Sequence, residues 1–397
     1  MKILPKLFIS IGNKEILIIT GIADDQNSFE LLEKLILPTD GISQNKISDL
    51  EKITNLIKRN ILLIEQKLNH TFKDIILILD NLEISFLNLS GFKKLNGTQI
   101  SKENITYILN SLKSCVEEFE ENKKILHIFN SEYCLDKKKL DNLPIGLFGN
   151  FYSHELSFNL INKNDYKNLK NIFNQCNLKI KKILLKSFVK GSLVIDDNPK
   201  IDTFFYIEIN EINSKIFYVE NNALKFEQKF NFGTKIIISD ICKITSLARD
   251  SVNKIISDNK NINKVSDKEL LEEKYFNNQQ YRKIKKNLIS KIAEARINEL
   301  SEKLHSKNIN LKELLGKTNV IFLEINDPDH LACFNYEYEE SFASNNQYEV
   351  KIVKKPDIEQ IINKTDNIVQ FGWKKEAVPV TKSKKTFLTR IFQEIFQ

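Results

Sequence analysis

The sequence predicts an α/β protein built from two related halves, and two hairpin-like stretches support this prediction. Residues 7–21 (LFISIGNKEILIITG) and 204–222 (FFYIEINEINSKIFYVENN) both carry β-branched and aromatic residues on either side of a short polar turn. This pattern is typical of a strand, a tight turn and a second strand. The two stretches lie about half a chain apart and each precedes further strand and helix patterns, so we expect an internal duplication.

The segments between the hairpins alternate between helical and strand patterns. Residues 47–68 have apolar side chains at helical spacing, and DIILILD at 74–80 is typical of a buried strand. A second helix is expected from Glu103, followed by a strand at 124–130 (KILHIFN) and a turn-rich segment. Residues 165–188 then predict a helix followed by a strand.

Beyond the second hairpin the pattern changes from strands to charged helices. Residues 250–315 have a mostly helical and strongly charged pattern. The longest predicted helix covers residues 272–304. An aperiodic stretch with proline and lysine (GWKKEAVPVTKSKK) precedes the C-terminal segment.

Composition excludes several classes of protein. The 397 residues are 42% apolar and 28% charged, the balance of a soluble globular protein with room for two or three domains. The N-terminal stretch alternates apolar and polar residues, unlike a signal peptide, and no run reaches the roughly 18 to 20 apolar residues of a membrane span. We therefore expect a cytosolic protein.

Cysteine, histidine and charge patterns predict neither a metal site nor a nucleic-acid interface. The five cysteines form no CxxC pair and the five histidines show no HxxxH or HExxH spacing, so no metal is expected. The formal net charge is +7, but lysines alternate with acidic residues through most of the chain. A solvated surface is therefore favoured over a nucleic-acid groove.

The last residues, KKTFLTRIFQEIFQ at 384–397, have the pattern of a short amphipathic helix. Such a segment is too short to span a bilayer, so it lies in a membrane interface or packs on protein. One face is apolar and basic residues lie beside it, as on segments that bind anionic lipid, but the pattern alone also fits a terminal helix packed on its own domain. The residues predicted to bind the membrane are Lys384, Lys385, Phe387, Leu388, Arg390, Ile391, Phe392, Ile395 and Phe396.

The order of several motifs resembles that in FtsA, the actin-like cell-division family that ties FtsZ filaments to the inner membrane. LHIFNSEYCLD at 126–136 and LPIGLFG at 143–149 are similar to the family's small inserted subdomain. Further similar stretches are IGNKEILIITG, GISQNKISDLEKI and IAEARINEL, together with NALKF and IISDI (237–241), which correspond to a strand and turn of the family. The C-terminal segment lies where the family has its membrane-targeting helix, and this position, with the lysine-bearing stretch before it, favours a membrane interface over packing on protein. The matching residues of the inserted subdomain are His127, Glu132, Tyr133, Asp136, Pro144, Gly146, Leu147 and Gly149.

The resemblance implies an actin-like, duplicated α/β fold with an inserted α+β subdomain and a C-terminal amphipathic helix. The implied divisions are 1–84 with 163–200 (subdomain 1A), 85–162 (the inserted subdomain 1C), 201–245 with 316–370 (2A), 246–315 (helical subdomain 2B), 371–385 (linker) and 386–397 (membrane-targeting helix).

The resemblance also implies an ATP cleft, but the residues expected there have changed. Gly12 is retained in the first phosphate hairpin, whereas Ser10 and Asn13 replace an acidic residue and a Thr or Ser. The second hairpin has no glycine, and Lys215 stands where the family has Asp. The adenine-side Gly-Gly is replaced by Glu324 and Ile325. Since glycine permits close backbone approach to phosphate, we expect no hydrolysis and either no ATP or weak ATP binding. The remaining candidate cofactor-binding residues are Gly12, Asn13, Lys14 and Glu208.

By the same resemblance, the partners are the C-terminal peptide of FtsZ, further copies of the chain in a filament, an anionic membrane surface and other division proteins. The FtsZ peptide would dock on the helical subdomain, where Arg296 and Arg282 are the candidate contacts. Two alternatives remain: an active actin-like ATPase, and an actin-like scaffold of another envelope machine, similar to PilM. The PilM type lacks the terminal amphipathic helix.

Overall fold

A computed structural model describes residues 4–12, 15–23, 29–43, 46–80, 82–259, 268–276, 279–343 and 347–377. The chain divides into two compact units. Unit 1 comprises Met1–Asp202, Glu220–Lys225 and Pro356–Gln397, and unit 2 comprises Thr203–Val219 and Phe226–Lys355.

The first part of unit 1 alternates strands and helices in the predicted order. Its strands are β1 (Lys6–Ile11), β2 (Glu15–Ala23), β3 (Phe29–Pro38), β4 (Ile42–Ser43), β5 (Lys46–Ile47), β6 (Asp74–Leu79), β7 (Ile84–Lys94), β8 (Lys123–Leu135), β9 (Lys138–Leu140), β10 (Phe151–Asn162) and β11 (Lys179–Leu185). Its helices are α1 (Leu50–Leu68), α2 (Lys102–Phe119), α3 (Lys163–Gln175) and α4 (Lys186–Asp197).

The second half of the chain begins with a hairpin and continues into the helical subdomain. Its strands are β12 (Phe204–Ile209), β13 (Ser214–Glu220), β14 (Ala223–Phe230), β15 (Val320–Ile325) and β16 (Glu349–Val353). The helices are α5 (Thr234–Thr245), α6 (Arg249–Asp258), α7 (Lys286–Ser301), α8 (Pro328–Ala343) and α9 (Ile358–Phe371), with short 3-10 turns at Glu273–Tyr275 and Ile309–Leu311 and a π turn at Glu302–Ser306.

The two units contain the same five-stranded sheet, which confirms the predicted duplication. In unit 1 the strand order is β3-β2-β1-β6-β11, and in unit 2 it is β14-β13-β12-β15-β16. In both sheets a central strand pairs antiparallel with the next strand in sequence and parallel with a later one. Both central strands are almost entirely buried, because apolar residues fill both faces.

The inserted subdomain is a separate antiparallel sheet, ordered β7-β10-β8-β9, with α2 packed against it. The family-like motif residues hold its turns. The Asp136 carboxylate accepts hydrogen bonds from the backbone N–H groups of Asn150 and Phe151, and Gly146 has φ +84° in the turn before β10. Positive φ favours glycine, so these motif residues are fixed by turn geometry.

Two sequence-based expectations differ from the structure. The helix predicted over 272–304 begins only at Lys286, because Leu271 N–H and Lys286 N–H pair with the Ile284 and Glu269 carbonyls in a strand-like bridge. Residues 237–241 belong to helix α5 instead of a strand and turn. None of the helices in the described ranges is long and apolar enough to cross a bilayer.

Helix α9 groups with unit 1, whereas the implied divisions placed 316–370 together in subdomain 2A. Helix α9 packs against α4 and β3 of unit 1 and forms two ion pairs with that unit, Lys6 with Asp366 at 2.7 Å and Lys364 with Asp196 at 2.5 Å. The described residues end at Ala377, so the first part of the predicted linker (371–377) is described, whereas residues 378–385 and the predicted membrane-targeting helix lie outside the described residues.

Candidate functional site

The first hairpin, β1 and β2, closes through a short turn at Gly12. The Gly12 N–H donates to the Glu15 carbonyl at 3.0 Å, and a Cβ on Gly12 would lie only 3.2 Å from that oxygen. Ser10, which replaces the family's acidic residue, is buried within β1. Asn13 and Lys14 lie outside the described residues, so the structure places Gly12 alone among the three predicted contacts of this turn.

The turn of the second hairpin, between β12 and β13, is closed by its own polar groups. The Asn210 N–H donates to the Asn213 carbonyl at 2.9 Å. The Asn210 side-chain amide donates to Asn213 Oδ1 at 2.9 Å and to Glu208 Oε1 at 3.2 Å. These amide donors are therefore directed at neighbouring residues of the hairpin.

The N-terminus of helix α5 bonds the same turn. The N–H groups of Thr234 and Lys235 donate to the carbonyls of Asn210 and Glu211, at 3.0 and 2.9 Å. A Cβ on Gly233 would lie 1.9 Å from the Asn210 oxygen, so only glycine permits this approach. The first N–H groups of a helix are common anion-binding donors. In this chain two of them bond protein carbonyls.

Two buried carboxylates lie side by side beneath the turn, since Glu208 and Glu324 are register partners on β12 and β15. Lys215 Nζ lies 3.8 Å from Glu208 Oε2. Glu324 Oε1 accepts from Asn326 Nδ2 at 2.8 Å, and Glu324 Oε2 accepts from the Tyr206 hydroxyl. With the Asn210 bond to Glu208 Oε1, each of the four carboxylate oxygens faces a donor or a cation.

The surroundings of the Tyr206 hydroxyl determine its protonation state. Burial, followed by the adjacent Glu324 carboxylate, raises the pKa of Tyr206 far above its usual range. The hydroxyl therefore remains a donor at neutral pH. Lys215, which reverses the family's charge, supplies the positive charge beside Glu208.

The network shows the contacts of the residues that differ from the FtsA pattern. Some of its members were not expected from the sequence. Glu208, predicted to contact cofactor, instead bonds Asn210 and Lys215. Tyr206 and Asn326 were not predicted. The sequence signal that could have identified Tyr206 is the alternation of side chains along a strand, because Tyr206 and Glu208 are two residues apart and so lie on one face of β12. Within the described ranges, no group of three or more His, Cys, Asp or Glu side chains is placed to hold a metal ion.

The two predicted partner-binding arginines both have intramolecular partners. Arg296 on α7 forms ion pairs with Asp240 of α5 and with Glu299. Arg282 Nη2 donates to the Ser246 carbonyl at 2.9 Å. Their predicted contact with a peptide remains a prediction, and the membrane-binding residues 384–396 lie outside the described ranges.

Comparison with known proteins gives distant relatives and a common fold. No protein-family model matches the chain. The chain is 21% identical over 322 residues to the cell division protein FtsA of Buchnera aphidicola subsp. Schizaphis graminum, covering 78% of this chain and 74% of that protein. It is 19% identical over 204 residues to FtsA of Escherichia coli K12, covering 51% of this chain and 48% of the relative.

Among solved structures, the chain is similar to the PilM–PilN type IV pilus biogenesis complex. The TM-score is 0.53 at 9% identity, and the match covers 92% of this chain and 98% of the other. The chain has the actin-like fold. At this identity the likeness establishes the fold alone. Together with the duplicated sheets and the inserted subdomain, it confirms the predicted actin-like α/β fold, whereas the C-terminal amphipathic helix of that prediction stays a prediction.

Proposed function

We propose that this chain is a divergent actin-like adaptor of cell division that polymerises and tethers FtsZ filaments to the cytoplasmic membrane without ATP hydrolysis. The observation that carries the proposal is the similarity to proteins named FtsA over 78% of the chain, combined with the actin-like fold. On this proposal the protein is a peripheral protein on the cytoplasmic face of the membrane at the division site.

Membrane attachment rests on the C-terminal sequence. Partial burial of the apolar residues between Phe387 and Phe396 contributes roughly 6 to 9 kcal/mol before the cost of ordering the helix. Lys384, Lys385 and Arg390 each add about 1 kcal/mol near anionic lipid. A single segment therefore binds weakly, whereas a filament that displays many segments binds tightly through effective concentration.

A liposome sedimentation assay tests the attachment. Full-length protein is expected to pellet with anionic vesicles, and protein lacking residues 384–397 to stay in the supernatant. Ile391→Glu places a charge on the apolar face, and Gln393→Glu adds the same charge to the polar face as a matched control. Equal pelleting of the full-length and shortened proteins, or equal loss in both variants, contradicts the proposal.

The absence of hydrolysis is supported by the second hairpin. Its amide donors bond Asn213 and Glu208, and the first N–H groups of α5 bond the turn. A nucleotide would have to replace these bonds. Titration calorimetry with ATP and Mg²⁺, alongside a phosphate-release assay, tests this point. Micromolar binding or measurable turnover would favour the active ATPase instead.

The FtsZ tether is tested by pulldown with the C-terminal peptide of FtsZ. We expect binding, and we expect Arg296→Ala to weaken it more than Arg249→Ala, an exposed arginine on the neighbouring helix α6 whose partner is Glu211 at 3.4 Å. Circular dichroism checks that Arg296→Ala leaves the fold intact after losing its pairs with Asp240 and Glu299. No binding by the folded wild-type chain contradicts the tether.

The structural comparison favours a second candidate, an actin-like scaffold of another envelope machine. The TM-score of 0.53 with the PilM–PilN complex extends over 92% of this chain. Retention of a PilN-derived peptide without retention of the FtsZ peptide would support this candidate over the division adaptor.

A further inference from the structure

Residues Trp373–Ala377, which we call the docking segment, follow helix α9 and pair with the edge of β8. The Asn130 N–H donates to the Lys375 carbonyl, and the Ala377 N–H donates to the Ile128 carbonyl, each at 2.7 Å. Strand β10 covers one edge of β8 along its length. On the other edge β9 pairs only with residues 133–135, so residues 128–130 are open to the docking segment.

A buried carboxylate fixes the register of this pairing. Glu376 lies between His127 Nδ1 at 3.0 Å and Lys182 Nζ at 2.6 Å, and its side chain is 8% exposed. Burial alone raises the pKa of Glu376, but the hydrogen bond with His127 and the positive charge of Lys182 outweigh it and lower the pKa to about 2. The carboxylate is therefore ionised at neutral pH. A shift of one residue would remove it from both partners.

An aromatic side chain holds the other end of the docking segment. Trp373 is buried against Phe188, with ring centroids 5.9 Å apart and planes at 76°, and its indole N–H donates to the Asn222 carbonyl at 2.9 Å. Lys364 Nζ lies 5.1 Å from the ring centroid. Unit 1 therefore provides a separate binding slot for each of two side chains of the docking segment, Trp373 and Glu376.

We propose that the docking segment is a separable intramolecular ligand of the β8 edge at Ile128–Asn130, where His127 and Lys182 receive the Glu376 carboxylate. This mode is strand addition, in which main-chain bonds give affinity and side-chain slots give specificity. The pairing does not depend on the proposed membrane or FtsZ function.

The chain has one tryptophan, so fluorescence reports directly on the docking segment. In full-length protein without lipid, Glu376→Gln is expected to move Trp373 emission to longer wavelength and to increase acrylamide quenching. Ala377→Pro removes the N–H that bonds Ile128 and leaves Glu376 unchanged, so it is expected to do the same. Glu359→Gln makes the same chemical change at an exposed position on α9 and is the matched control.

Hydrogen exchange distinguishes release of the docking segment from unfolding. Both variants are expected to speed exchange at the Asn130 amide at least about tenfold, and Glu376→Gln is expected to do the same at the Ala377 amide, while β10 amides stay protected. Unchanged exchange and emission in both variants would overturn the proposal. Loss of protection throughout β10 would also overturn it, because the segment would then be part of the sheet core and not a separable ligand. Neither result bears on vesicle or FtsZ binding.

Discussion

Replacing Glu376 by glutamine is expected to lower the free energy of unfolding of unit 1 by about 3 kcal/mol at pH 7. The pKa of Glu376 is about 2 against an ordinary 4.5, and each pH unit corresponds to about 1.4 kcal/mol, which gives this magnitude for the ionised form. The size agrees with the roughly 3 to 5 kcal/mol cost of breaking a buried ion pair by removing one partner. Glutamine keeps the shape of the side chain and removes its charge.

The effect of Glu376 has a defined pH dependence. A carboxylate whose pKa is lowered by folding contributes its full stabilisation above pH 4.5 and loses it as the pH falls towards 2. The difference between wild type and Glu376→Gln is therefore constant from pH 7 to 5 and falls to less than about half by pH 3.

Urea denaturation followed by Trp373 fluorescence measures this difference, with Glu359→Gln as the control that should match wild type. Equal midpoints and slopes for wild type and Glu376→Gln at pH 7 would refute the reasoning. A difference that stays constant down to pH 3 would also refute it, because the stabilisation would then not arise from the ionised carboxylate.

Three further predictions concern the rest of the chain. Burial lowers the pKa of His154, His305 and His330 to between about 3 and 4. As the pH falls from 6.5 to 5 these residues take up protons in the unfolded chain before they do so in the folded chain, so the melting temperature is expected to fall progressively over this range. Gly233→Ala forces a Cβ against the Asn210 carbonyl oxygen and is expected to lower the unfolding free energy of unit 2, measured in urea, by more than about 2 kcal/mol. Gly97→Ala is the comparison: Gly97 has φ +81°, but an added Cβ would meet no neighbouring atom, so the expected cost is only about 1 kcal/mol. Tyr206→Phe removes the hydroxyl that bonds buried Glu324 and is expected to lower the unfolding free energy by about 1.5 to 3 kcal/mol, again measured in urea; no change would contradict the closed network.

Local sequence patterns were sufficient for the duplicated architecture. The strands of the second hairpin lie within the predicted 204–222, and those of the first extend beyond 7–21 by one residue at the start and two at the end. Both were found because alternation and a polar turn are local signals. The family-like motif predicted the inserted subdomain because Asp136 and Gly146 are fixed by the turns they form. By contrast, residues 272–285 contain good helix formers, yet tertiary pairing at Ile284 overrides that preference.

Contacts between distant parts of the chain were beyond sequence reasoning. His127 was recognised only as one position in an ordered motif, and its partner Glu376 lies 249 residues away. The grouping of α9 with unit 1 likewise depends on Lys6 and Asp366, which are 360 residues apart. Two single residues that are so far apart in the sequence produce no periodic pattern, so the sequence gives no signal that pairs them.

The closed second hairpin gives a physical meaning to the loss of glycine. A phosphate-binding turn must leave N–H groups without protein partners until the ligand arrives, and such groups cost free energy when they are buried. Here Asn210 and the start of α5 satisfy one another, and Lys215 supplies a positive charge beside Glu208. An incoming nucleotide would break several of these bonds, at about 0.5 to 1.5 kcal/mol each, before gaining any of its own. Unit 2 therefore closes this hairpin with its own polar groups.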